Sequence, residues 1–65
     1  MKPHAATLSK LEDVRMLVDS GESPERIAQR VGMSLYAVAR MLARHAPDIA
    51  TPFTAAAKRY WRSLR

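Results

Sequence analysis

The sequence predicts an all-α domain: a bundle of three short helices followed by a C-terminal amphipathic basic helix. Three observations lead there. Capping serines or threonines recur at Ser9, Ser23, Ser34 and Thr51, two of them followed directly by proline. Apolar residues follow each signal at three- and four-residue spacing, the period of a helix with one buried face. No stretch alternates apolar and polar residues as a half-buried strand does, and there is no internal repeat or low-complexity segment.

Residues 1–8 contain a proline and no periodic apolar pattern and are read as a flexible arm. Ser9 with Glu12 three residues on has the form of a capping box, in which each side chain satisfies a backbone N–H at a helix start. Leu11, Val14, Leu17 and Val18 continue the helix, and Gly21 ends it. The start methionine and this capped helix lead us to expect a natural N-terminus; the C-terminal end is uninformative. Ser23-Pro24 opens a second helix that runs to Val31 and stops at Gly32. Ser34 caps a third, from Leu35 to about His45, ended by Ala46-Pro47 because the residue before proline avoids the helical region. The tri-helical unit therefore spans 9–46. Residues 47–65 form the fourth element, in which Thr51-Pro52 starts a helix. Phe53, Ala56, Ala57, Tyr60 and Leu64 share its apolar face, Trp61 sits at the border, and Lys58, Arg59, Arg62 and Arg65 lie opposite.

Composition narrows the function. With 65 residues the chain is a single domain with little room for an enclosed active site. No cysteine is present, which excludes disulfides and thiolate metal sites. His4 and His45 are too few for a metal site, and no nucleophile–base–acid set or phosphate loop stands out. Neither an enzyme nor a cofactor is expected. No apolar run approaches the roughly 18 residues that span a bilayer, so a cytoplasmic location without a membrane partner is expected. The net charge of +5 is uneven: residues 1–22 carry −1, residues 23–46 carry +3 and residues 47–65 carry +3. Such a surface suits a polyanion, because binding releases condensed counterions.

The informative stretch is Ser23 to His45. A short helix, a tight turn and a longer helix crossing at a steep angle make three demands. They need a small residue at the crossing (Ala28), a residue tolerant of positive φ in the turn (Gly32), and apolar residues facing inward (Ile27, Val31, Met33, Val38, Met41, Leu42). Pro24-Glu25-Arg26-Ile27-Ala28-Gln29-Arg30-Val31-Gly32-Met33-Ser34, with Val38, Met41 and Leu42 beyond it, resembles the bacterial and phage helix-turn-helix. The likeness is greatest to the three-helix, homeodomain-like kind at the C-termini of serine recombinases and in small regulators. The plainer alternative is a simple helical hairpin.

The resemblance implies a helix-turn-helix bundle and double-stranded DNA as partner, with residues 35–45 as a recognition helix in the major groove. Val38, Met41, Leu42 and His45 then face the core, and Tyr36, Arg40, Ala43 and Arg44 face outward. Arg40 is the candidate for bidentate reading of guanine and Tyr36 for a base or phosphate contact. Ala39 and Ala43 are candidates for close approach to a thymine methyl, and Arg44 for the backbone. Ser34 and the N–H groups beside it are candidates to hold a phosphate. Arg26 and Arg30, and Lys58, Arg59 and Arg62, are further phosphate candidates. The alternative for Arg26 and Arg30 is exposure with Glu22 or Glu25 as partners. Lys2 and His4 form a weak minor-groove arm, and His45 reads as a helix-end residue helped by the dipole. The last helix has two main readings: its apolar face completes the core, or it pairs with a second copy of the chain in a homodimer. Its aromatics beside arginines leave single-strand stacking and a membrane surface as lesser readings. A different class of function also stays open, a protein-interaction module that binds a host or polymerase factor.

Overall fold

The computed structural model describes residues 4–64. These form four α-helices: α1 (Ala5–Asp19), α2 (Pro24–Val31), α3 (Leu35–His45) and α4 (Thr51–Ser63), with a 3-10 turn at Pro47–Ile49 between the last two. No helix among the described residues is long and apolar enough to cross a membrane.

The first helix differs from expectation. It starts at Ala5, so Ser9 and Glu12 are exposed residues of its interior, and residues 5–8 are helix rather than arm. The first-turn bond runs from the Leu8 N–H to the His4 carbonyl at 2.9 Å, with no side-chain cap. Alanine and leucine favour helix strongly, and nothing between Ala5 and Ser9 breaks one; the serine–glutamate spacing occurs within the helix without marking its start. Lys2, the other arm residue singled out, lies outside the described residues. At the far end the Glu22 N–H reaches back to the Leu17 carbonyl (3.1 Å) and the Gly21 N–H to that of Val18 (3.0 Å). This closure needs the left-handed backbone that Gly21 adopts.

The next two helices begin and end where their chemistry says. The Ser23 hydroxyl accepts the Arg26 N–H at 3.3 Å and Pro24 fills the first turn. Gly32, at φ +70°, turns the chain out of α2 while the Met33 N–H bonds the Ala28 carbonyl at 3.0 Å. Two residues later the Ser34 hydroxyl accepts the Ala37 N–H at 3.0 Å and α3 begins. The fourth start is built differently. Thr51 makes no side-chain cap; the 3-10 turn leads into α4, and the Ala50 carbonyl accepts from Phe53 and Thr54.

All four helices meet in one core. Its fully buried large side chains are Val14 of α1, Ile27 of α2, Val38 and Leu42 of α3 and Phe53 of α4. Alanines at 28, 39, 46, 50 and 57 join the same cluster and let the helix backbones come close. The most extensive packing is between α3 and α4. Two polar ties hold α1 in place. Lys10 Nζ donates to the Val31 carbonyl at the C-terminal end of α2, and Arg15 donates both guanidinium arms to the Asp48 carboxylate at 2.9 and 3.1 Å. The hydrogen bond from Arg15 holds the Asp48 carboxyl below the usual carboxylate range, and the same bond raises Arg15.

The expectation that helix 4 completes the core holds for its first half alone. Phe53 is 1% exposed, and Ala56 and Ala57 are buried, but Tyr60 and Trp61 are each 58% exposed and Leu64 63%. Tyr60 and Leu64 lie on the same helical face as Phe53, as the period requires. They reach beyond the bundle, however, where no other element covers them.

Candidate nucleic-acid interface

The outward face of α3 is set by what its inward face buries. Val38, Ala39 and Leu42 point into the core. At 100° per residue this leaves Tyr36, Arg40, Ala43 and Arg44 outside, and all four are exposed. Ala39 is a correction. It is 6% exposed and packed against α4, so it has no access to a base. Its small side chain serves the close approach of α3 to α4, lining with Thr54 and Ala57 the cleft between them. Met41 is half-buried and packs against the core as expected, whereas His45 is half-buried on the flank of α3, where a shallow hollow also takes in Thr7 of α1.

Three side chains make a ladder from α3 to α4. The Arg40 guanidinium carbon sits 5.8 Å from the centre of the Tyr36 ring, within cation–π range. The Tyr36 ring in turn meets Trp61 of α4 edge to face, with centroids 6.5 Å apart and planes at 72°. Lys58 lies in the same cleft as Tyr36, Arg40 and Trp61. One wall of the α3 face is therefore built by α4 and carries a cation of its own. The helical period puts Trp61 at the border of the α4 stripe and gives no sign of its place beside Tyr36. No local signal links residues 25 apart on two different helices.

The remaining candidates sit around this face. Ser34 is exposed, with its hydroxyl oxygen engaged by the Ala37 N–H. Lys58 and Arg62 are exposed on α4 opposite its buried stripe, and Arg59 is exposed on its flank. Arg26 and Arg30 are exposed on α2, and both lean toward Glu22, at 3.7 and 3.9 Å. These are long, solvated pairs of the kind that contributes little stability, so both arginines can turn to an anion at small cost. His4 is the exposed N-cap residue of α1.

On the other side of the Tyr36–Trp61 pair lies an apolar groove of about 410 Å³. Ala28 of α2, Met33 and Leu35 form its floor, Tyr60 and Leu64 its outer wall, and Glu25 and Gln29 its polar rim. The aromatic pair thus separates two largely apolar hollows, the one between α3 and α4 bordered by Arg40 and Lys58 and the other by Glu25 and Gln29. Among the described residues no group of histidines and carboxylates is placed to hold a metal ion. Comparison with protein-family models, with curated proteins and with solved structures finds no match.

Proposed function

We propose that this chain binds double-stranded DNA with sequence preference, acting as a phage or bacterial transcription regulator or a recombination accessory factor. In this reading α1, α2 and α3 are a helix-turn-helix unit, α3 is the recognition helix, and α4 is an addition to it. The observation that carries the reading is the combination at α2 and α3. A two-turn helix, a left-handed glycine and a serine-capped longer helix share one core, while Tyr36, Arg40, Ala43 and Arg44 stay in solvent.

The fit to DNA follows from size. The major groove is about 12 Å wide and takes one helix. With α3 inserted, α4 alongside it rises over the flanking strand, and Lys58 and Arg62 meet phosphates there. Arg40 reads a guanine edge once its guanidinium leaves the Tyr36 ring. Arg26 and Arg30 approach the backbone from α2 by leaving Glu22. The test is selection of binding sites from a random duplex library, followed by titration of the selected site with Arg40→Ala. A loss of about 1–3 kcal/mol, roughly 5- to 150-fold, is expected at the selected site. Unchanged affinity for every duplex removes α3 as the reading helix.

A second reading, a protein-interaction module for a host or polymerase factor, is favoured by the apolar groove beside Tyr60, Trp61 and Leu64. Salt titration separates the two. Four to six phosphate contacts make log affinity fall with log salt at a slope of about −4 to −5. Absence of duplex binding even at low salt favours the second reading.

A further inference from the structure

We infer that the exposed end of α4 is a self-association surface, occupied by a second copy of this chain in a two-fold dimer. The inference does not require the DNA reading, although it draws on Arg59, a phosphate candidate there, and on Trp61, which stands beside Tyr36.

The first ground is the size of the bare surface. Tyr60, Trp61 and Leu64 are each more than half exposed and contiguous, and the groove beside them adds the half-buried Met33 and Leu35. Two half-exposed aromatic rings and a leucine present roughly 300–400 Å² of largely apolar surface, the size of the largest patch on a typical monomer, which is often functional. Two copies of it, with the groove floor and rim, bring the total to roughly 1,000 Å², the least area a specific interface needs. The dimer is therefore expected to be weak and concentration-dependent.

The second ground is self-complementarity. A two-fold interface requires one patch to hold both halves of every contact. This patch holds a projecting ridge, Tyr60 and Leu64 at the end of α4, and a groove beside it to receive a ridge. It also holds both signs of charge. Glu25 on the groove rim makes no ion pair among the described residues. Arg59, also without an ion pair among them, lies about 100° round α4 from Tyr60, on the flank of the ridge. Seating the ridge of one copy in the groove of its partner carries Arg59 to the partner's Glu25, and the symmetry repeats the pair. Chains of charge +5 repel one another, and this pairing offsets part of that repulsion at the contact.

Sedimentation equilibrium from micromolar to millimolar concentration tests the inference, with circular dichroism confirming that each variant is folded. The average mass should rise from the 7.3 kDa of one chain toward twice that value. Emission from Trp61, the only tryptophan, should shift to the blue over the same range. Leu64→Asp should hold the chain monomeric. Glu25→Arg or Arg59→Glu alone should weaken association about tenfold. A chain carrying both substitutions, or an equimolar mixture of the two single variants, should recover it. A chain that stays monomeric at millimolar concentration, or a Leu64→Asp variant that still dimerises, overturns the inference. Failure of both charge-swap combinations to recover association overturns the two-fold pairing of Arg59 with Glu25.

Discussion

Phe53 is where the structure makes its strongest energetic claim. It is the largest fully buried side chain, and it comes from α4. A domain of this size has a net stability of about 3–5 kcal/mol. Phe→Ala in a packed core costs about 3–5 kcal/mol, the forfeited transfer energy plus the cavity left behind. Phe53→Ala is therefore expected to leave the chain largely unfolded at 25 °C, an outcome with little resolving power. Phe53→Leu keeps most of the volume and should cost about 1–2 kcal/mol. At roughly 4–8 °C per kcal/mol for a domain of this length, the melting temperature should fall by about 5–15 °C. Tyr60→Ala, seven residues on and on the same face, removes a side chain that is 58% exposed and should change stability by no more than about 0.5 kcal/mol. Urea and thermal unfolding followed by circular dichroism at dilute concentration, where the chain is monomeric, compare the two variants directly. Equal destabilisation, or a larger effect at Tyr60, would refute the division of α4 into a core half and a projecting half.

Three further outcomes follow from particular residues. Gly32→Ala should destabilise by about 1–2 kcal/mol in urea titration: an added Cβ meets nothing within 4 Å, so the whole cost is the left-handed backbone, and Gly32→Asn should cost less. The Asp48 carboxyl is depressed in the folded chain by the hydrogen bond from Arg15; its contribution is present above the unfolded value near 3.8 and is lost as pH falls through the lower folded value. Thermal unfolding against pH should therefore show an acid-side loss that Asp48→Asn flattens, and an unchanged pH profile would show that the exposed bridge contributes nothing. In duplex titrations, replacing both Lys58 and Arg62 with alanine should reduce the salt slope by about 1.8, or about 0.9 for each phosphate no longer neutralised, with a similar drop in affinity on every sequence.

The boundaries of α2 and α3 were legible because each rests on a group that acts on its neighbours three or four residues away. The hydroxyls of Ser23 and Ser34 satisfy N–H groups of the turn they begin, and Gly32 supplies a backbone conformation that other residues resist. The same logic failed at Ser9, where the capping pattern is present but the preceding alanines already favour helix. On α3 the outward set of Tyr36, Arg40, Ala43 and Arg44 was legible from the period. Ala39 was misplaced because an alanine at the edge of the stripe faces whichever neighbour packs there, and that neighbour is α4.

By itself the sequence determined that the chain is helical, where two of its helices begin and end, and which stripe of each is apolar. These are consequences of short-range hydrogen bonding and side-chain period. Only the tertiary structure decided how far along α4 the burial extends, that Trp61 stands against Tyr36 with Arg40 on its far side, and that Arg15 of α1 grips Asp48. The period of α4 gives Phe53 and Leu64 the same face. Whether that face is covered depends on where the other helices stop, and α4 outruns them.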